Sequence, residues 1–219
     1  MALRPRDIAR RHLWRRSPFP DRFGVILADP PWWYSGGGGN RFRNTPTSKS
    51  RWSKPVNYYT IMATEDIAAM PVRDIAEQDA ILFLWSTATH IPDALRVMDA
   101  WGFKYLNQIA WDKQKPGMGW YCRNTHELLL YGTRGNFRSP RDKSLILNKS
   151  IISSPRSKKH SEKPVEFYEI IERMYPDLPK VELFARRKRD GWASWGNEVA
   201  RDYNPKILKR HFVPAARAV

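Results

Sequence analysis

Short apolar runs alternate along this chain with stretches of helical spacing, and that alternation leaves few folds open. The runs are "FGVILAD" (23–29), "AILFLW" (80–85), "YLNQIAW" (105–111), "HELLLYG" (126–132) and "KVELFA" (180–185). Each suits one buried strand. Between them, "HIPDALRVMDAWG" (90–102) and "KPVEFYEIIERMY" (163–175) have the spacing of amphipathic helices. The first closes on a Gly, and the second opens with a Pro near its first turn. Strands alternating with helices predict an α/β protein with a mostly parallel sheet and helices on both faces. Ligands of such sheets sit at the carboxyl ends of the strands.

Two polar segments interrupt the pattern, at 35–57 and 132–162. Both are basic and rich in Ser, Pro and Gly, and both read as functional or disordered loops. "SGGGGN" in the first has no Gly-Lys-Ser/Thr after it, so it is no phosphate loop and reads as a hinge for a substrate-gating loop. Lys and Arg outnumber Asp and Glu by 38 to 22, a formal charge of +16. Such an excess points to a polyanionic partner, since Lys and Arg release counterions from phosphates; the alternative is a merely soluble basic surface. With thirteen per cent aromatics, nucleic acid is the expected partner.

The length suits a single domain over 1–219, with basic arms at 1–20 and 201–219 and no separate target-recognition domain. The single cysteine, Cys122, excludes an internal disulfide framework and a Cys-rich zinc site, and fits a reducing, cytoplasmic setting. No run approaches the length of a membrane span. The Arg-rich start "MALRPRDIARRHLWRRSPFP" has no signal-peptide core and reads as an electrostatic arm or part of the binding site; the alternative, a transit peptide, fits less well because the segment is poor in Ser. His126 and His160 have no partner at ligand spacing, so no metal is expected. Nothing in the sequence sets an oligomeric state.

The stretch with most chemistry is "VILADPPWWYSGGGGN" (25–40). Asp29 ends a buried strand, which sets its carboxylate at the rim of the sheet. Pro30 and Pro31 stiffen the backbone and donate no hydrogen bonds. The Asp29 side chain and the Pro30 carbonyl then form a pair of acceptors suited to a group with two N–H bonds, an exocyclic amine. Such a pair stabilises the positive charge that the amine gains when it attacks an electrophile. Trp32 offers a face for stacking a base, worth about 1–3 kcal/mol. The bland alternative is a strand ending in a Pro-Pro turn, with Trp32, Trp33 and Tyr34 as core or rim aromatics.

"ADPPW" (28–32) resembles the signature of the N6-adenine methyltransferases of the MT-A70 family, and the Asp/Asn/Ser-Pro-Pro-aromatic motif of amino-methyltransferases in general. Further similarity lies in "YYTIM" (58–62), "LFLWST" (82–87), "HELLLYG" (126–132), "EKPVEFYEIIER" (162–173), "ELFAR" (182–186) and "GWASWGNE" (191–198). The resemblance implies a Rossmann-like, S-adenosylmethionine-dependent methyltransferase fold. Its motif order is permuted, with the catalytic motif ahead of the cofactor-binding strand.

It also implies roles for individual residues. Asp29, Pro30, Pro31 and Trp32 would be catalytic. Lys163 would hold the cofactor's tail carboxylate, with Pro164 pre-organised for the first helical turn. Asn197 and Glu198, at the end of a strand, and Arg186 would contact the nucleoside, with Leu183 and Phe184 beside it. Glu198 stands where the messenger-RNA enzyme has Gln. Asp7 and Ile8 would hold the cofactor adenine, at a different spacing from Asp29 than in that enzyme. Trp33, Arg43, Lys54, Tyr59 and Glu127 would face the substrate. Structural readings stand beside these: a solvated Lys163, a phosphate-touching Arg186, and packing roles for Tyr59 and Glu127. "ELFAR" lacks the Gly-rich turn of other Rossmann-like methyltransferases.

The implied reaction is direct methyl transfer to the N6 amine of adenine without a covalent enzyme intermediate. A base in a duplex must first leave the stack, so single strands are the easier substrate. Without a helix-turn-helix or zinc finger, the basic loops and arms are left to hold phosphates, which predicts low or short sequence specificity. Small members of the family resemble bacterial or phage enzymes, so DNA is the first expectation and RNA the second, in a bacterial or phage-infected cell. The rival is a non-catalytic nucleic-acid-binding protein on a methyltransferase fold.

Overall fold

A computed structural model describes residues 20–33, 61–117, 121–140, 142–147, 149–157, 162–196 and 199. Its centre is a seven-stranded sheet in the order β5-β3-β4-β2-β1-β6-β7. The strands are β1 (Phe23–Ala28), β2 (Ala76–Ser86), β3 (Lys104–Asp112), β4 (His126–Arg134), β5 (Ile151–Ser153), β6 (Lys180–Leu183) and β7 (Trp192–Trp195). β1 runs parallel to β2 and β6, β6 to β7, and β3 to β5. β4 is antiparallel to both β2 and β3, so it alone is reversed. The sheet is mostly parallel, as expected, with this one strand reversed. The connection over 113–125 returns the chain from β3 back along β4, its neighbour in the sheet.

The helices are α1 (Thr64–Ala68), α2 (Val72–Ile75), α3 (Ile91–Ala100) and α4 (Val165–Met174). The strands alternate their side chains between two cores. Ile26, Ala28, Leu82, Leu84, Leu128 and Leu130 pack with Ile67, Val97, Met98 and Trp101 of the α1–α3 side. Val25, Leu27, Ile81, Phe83, Trp85 and Leu129 pack with Phe167, Tyr168 and Ile171 of α4. Both faces of β1 are covered, so all six of its residues are buried, and this is why it reads as an unbroken apolar run. Burying such a side chain contributes about 1.5–3 kcal/mol.

Both expected helices form, and α3 stops where the chain reaches Gly102 at φ +81°, a conformation open to glycine at little cost. Pro164 lies one position outside α4 as its N-cap, in extended backbone, and does not enter the first turn. The segment 132–162 is no continuous loop: it contributes the end of β4, a 3-10 turn at Lys143–Leu145, and the edge strand β5. The segment 35–57 and the arms at 1–19 and 201–219 lie outside the described residues. Among the described residues no helix is long and apolar enough to cross a membrane.

Candidate active site

The carboxyl ends of all the strands except β4 share one rim of the sheet, and β4 begins there. Five residues far apart in sequence meet at this rim because the strands end together. Asp29 follows β1, Ser86 ends β2, Glu127 is near the start of β4, Lys163 precedes α4, and Arg186 follows β6. With Pro30, Pro31, Trp32, Trp85 and Thr87 they line a cleft that opens to solvent.

The Asp-Pro-Pro-Trp turn is held from several sides. The Trp32 amide donates to the Pro30 carbonyl at 2.8 Å, closing a tight turn over Pro31, and the Met62 amide donates to the Pro31 carbonyl at 2.9 Å. The Asp29 amide reaches the Leu183 carbonyl at 3.4 Å, tying β1 to the end of β6. His90 fastens the far side. Its Nε2 lies 3.1 Å from the Trp33 carbonyl, which can only accept, so Nε2 is the donor. Its Nδ1 lies 2.9 Å from the Thr87 hydroxyl.

Trp32 is 5% exposed and stacks on the His90 ring at 5.8 Å, while its Nε1 donates to the Trp85 carbonyl at 3.0 Å. The sequence reading of Trp32 as a platform for a base is therefore revised. One face is already occupied by His90, and the ring is a wall of the cleft.

A chain of alternating charges crosses the site. Lys163 Nζ sits 2.7 Å from Asp29 Oδ2 and 3.5 Å from Glu127 Oε2, while Lys113 Nζ sits 3.2 Å from Glu127 Oε1. The side chains of both lysines are 9% exposed. Lys163 also lies 5.3 Å from the centre of the Trp85 ring. Burial pushes the Glu127 carboxyl up, but Lys163 and Lys113 together bring it below its ordinary value. Burial likewise pulls the Lys163 ammonium down, and Asp29 and Glu127 lift it above its ordinary value. Glu127 thus adds stability above its unfolded pKa, lost as pH falls through the lower folded one. Lys163 adds stability below its unfolded pKa, lost as pH rises through the higher folded one. Both contributions are present at neutral pH.

Glu182, on β6 one residue before Leu183, is 6% exposed and accepts the Tyr168 hydroxyl at 2.7 Å. Burial raises its pKa to about 7; the charge of Asp29 adds to this and the Tyr168 hydrogen bond opposes it. The folded protein therefore binds this proton more tightly than the unfolded chain. Stability falls as pH rises from the unfolded carboxylate range to about 7, by roughly 3 kcal/mol from this group. Glu182→Gln should flatten that part of the profile, measured by urea denaturation at pH 5 and pH 8. A variant with the wild-type difference between the two pH values would show that Glu182 does not titrate there.

The structure brings Asp29, Pro30, Pro31, Trp32, Glu127, Lys163 and Arg186 to one cleft. Trp33 is half-buried, does not line the cleft, and holds His90 through its carbonyl. Leu183 is fully buried in the core, so only its main chain reaches the rim. Phe184 takes φ +63° and packs edge-on against Trp195 at 5.7 Å. It occupies the left-handed conformation for which a glycine would ordinarily serve, at a cost of about 1–3 kcal/mol, and so answers the absence of a Gly-rich turn in "ELFAR".

Beyond that turn, the Ala185 amide donates to the Trp195 carbonyl at 3.0 Å. A Cβ on Gly196 would stand 2.1 Å from the Ala185 carbonyl oxygen. Only a glycine lets Gly196 and Ala185 approach this closely. Asp7, Ile8, Arg43, Lys54, Tyr59, Asn197 and Glu198 lie outside the described residues. Lys113, Trp85, Ser86, Thr87 and His90 were assigned no role from sequence. "LFLWST" marked three of them as part of a shared motif, while Lys113 and His90 carried no local signal. Among the described residues no three His, Cys, Asp or Glu side chains cluster to hold a metal.

A mixed sheet with one reversed strand, a cleft at its carboxyl rim and an Asp-Pro-Pro-Trp turn in that cleft define a Rossmann-like methyltransferase. A model of the MT-A70 family matches residues 23–198. The type II methyltransferase M.MunI of a Mycoplasma species is 31% identical over 188 residues, covering 81% of this chain and 78% of that protein. The MT-A70-like N(6)-adenosine-methyltransferase of Arabidopsis thaliana is 28% identical over 187 residues, covering 81% of this chain and 24% of its own length. The N(6)-adenosine-methyltransferase catalytic subunit METTL3 of Homo sapiens is 25% identical over 191 residues, again 81% of this chain and 28% of that protein. The chain belongs to the MT-A70 family. It spans about a quarter of the length of these plant and animal relatives.

Proposed function

We propose that this protein transfers a methyl group from S-adenosylmethionine to the N6 amine of adenine in nucleic acid, with DNA as the first substrate. The observation that carries the reading is the pairing of Asp29 with Lys163 inside the Asp-Pro-Pro-Trp cleft. A neighbouring cation and anion complement the carboxylate and ammonium of an amino-acid tail. With three N–H donors, Lys163 can serve Asp29 and Glu127 and also donate to a ligand carboxylate beside them. Arg186, Ser86 and Thr87 add polar groups, and Trp32 and Trp85 add apolar walls, so the residues suit a methionine-derived nucleoside.

Bound S-adenosylmethionine would supply an electrophilic methyl group on a sulfonium. The protein's own part is to aim the amine. The Asp29 carboxylate and the second lone pair of the Pro30 carbonyl, whose first is taken by the Trp32 amide, accept from the two N–H bonds. They stabilise the charge that develops as the N–C bond forms and the C–S pair returns to sulfur. The amine then gives up one proton, to Asp29 or to solvent.

The names of the plant and animal relatives specify adenosine, a ribonucleoside, and this favours RNA as the second reading. Transfer of labelled methyl to matched single-stranded DNA and RNA decides between them, with greater uptake expected into DNA. The donor itself should raise the melting temperature, since a ligand at about 100 times its Kd adds about 2.7 kcal/mol. Absence of both uptake and melting shift would leave the non-catalytic reading in its place.

A further inference from the structure

The connection between β3 and β4, residues 113–125, leaves and re-enters the sheet at the cleft rim. Its stem is closed by the Lys113 amide on the Thr125 carbonyl at 2.8 Å and the Gly117 amide on the Asn124 carbonyl at 2.9 Å. Its root is part of the site, because Lys113 is ion-paired with Glu127, which lines the cleft. The sequence "KQKPGMGWYCRNT" has three basic residues and no acidic one. Lys115 and Arg123 are exposed, and Tyr121 is 92% exposed, the most exposed of the large hydrophobic side chains described.

The neighbouring strand adds to the same side of the rim. β5 runs parallel to β3 and leaves the sheet beside it, where the Ser154 amide donates to the Asp112 carbonyl at 3.1 Å and exposed Arg156 follows. The acids at this place are engaged, Asp112 by the Gln114 amide at 2.9 Å and the Ser153 hydroxyl at 3.1 Å, and Glu166 by the Ser154 hydroxyl at 3.0 Å. An exposed ring among cations, on a platform rooted in the cleft, is complementary to a polyanion with stacking bases. It suits neither an apolar peptide nor an acidic one without rings.

We propose that this ledge carries the single strand flanking the target adenine: Tyr121 stacks on a neighbouring base, and Lys115, Arg123 and Arg156 face phosphates. The inference rests on the nucleic-acid reading above and adds where the strand lies outside the cleft. Stacking reads no particular base, so the ledge would strengthen binding with little sequence preference, as predicted for a chain without a separate target-recognition domain.

The test uses the full chain and fluorescently labelled single-stranded DNA and RNA oligonucleotides of matched sequence, each with one adenine, followed by anisotropy and by labelled-methyl uptake. Tyr121→Ala should raise Kd for the tighter oligonucleotide about 5- to 150-fold, the range set by the loss of one stacked base. Tyr121→Trp should restore binding. Replacing Lys115, Arg123 and Arg156 by Ser should flatten the dependence of log K on log salt by about 2. All these variants should keep the wild-type melting shift with S-adenosylmethionine, because none lines the cleft.

Wild-type binding with Tyr121→Ala, alongside normal methyl transfer, would overturn the ledge and leave the proposed activity intact. Tyr121-dependent binding without methyl transfer would support the ledge and count against the activity. Failure of the wild-type chain to bind either oligonucleotide would overturn both.

Discussion

Asp29→Ala is expected to lower methyl transfer about 10²- to 10³-fold, the usual cost of removing one aimed electrostatic partner of a transition state. The loss should fall on kcat, because the carboxylate matters most as the amine acquires positive charge. Asp29→Asn separates two explanations. It keeps an acceptor oxygen but not the charge, and related amino-methyltransferase motifs place Asn at this position. It should therefore lie between the wild type and the alanine variant. The ion pair also changes how the alanine variant must be read. Without Asp29, Lys163 keeps Glu127 at 3.5 Å as its remaining described carboxylate, so some stability is lost along with activity. Single-turnover transfer under saturating donor, with thermal unfolding of each variant, distinguishes the two effects. Near-normal turnover in Asp29→Ala would remove the carboxylate from catalysis.

Lys163→Met should be the most destabilising change at the site, at about 3–5 kcal/mol. It leaves two carboxylates, Asp29 and Glu127, partly buried without the cation between them. Methionine keeps the volume and the contact with Trp85, so the loss reports the charge and not a cavity. Donor binding should weaken as well, since the same ammonium is proposed to meet the tail carboxylate. Adding Asp29→Asn removes the stranded charge, since Glu127 keeps Lys113 at 3.2 Å. The double variant should then be more stable than the sum of the two single losses, by about 0.5–3 kcal/mol. Urea denaturation of the four proteins at neutral pH closes the cycle. Strictly additive losses would mean that the pair is not coupled in solution.

Where sequence reading reached furthest, the signal was local. Asp29 is legible because the six-residue run Phe23–Ala28 ends at it and two prolines follow. Lys163 is legible because a helical period begins just after it. β5 escaped notice because three residues, Ile151–Ser153, carry no period that a polar segment would betray. α1 and α2 escaped for the same reason, at five and four residues. Glu127 was seen as a site residue with two possible roles, yet nothing around it announced that its two oxygens would be divided between Lys113 and Lys163.

The chain's own order of residues determined five of the seven strands, the two longer helices, the rim position of Asp29 and the basic character that suits a polyanion. These depend on spacing and on what each residue can do with its neighbours in the chain. Tertiary structure alone decided that β4 turns back between β2 and β3, that His90 covers one face of Trp32, and that Asp29 meets Lys163 across 134 residues. The reason is that strand order in a sheet is set by which faces and edges the whole chain can cover at once. Charges from separate strands become partners only after that order is settled.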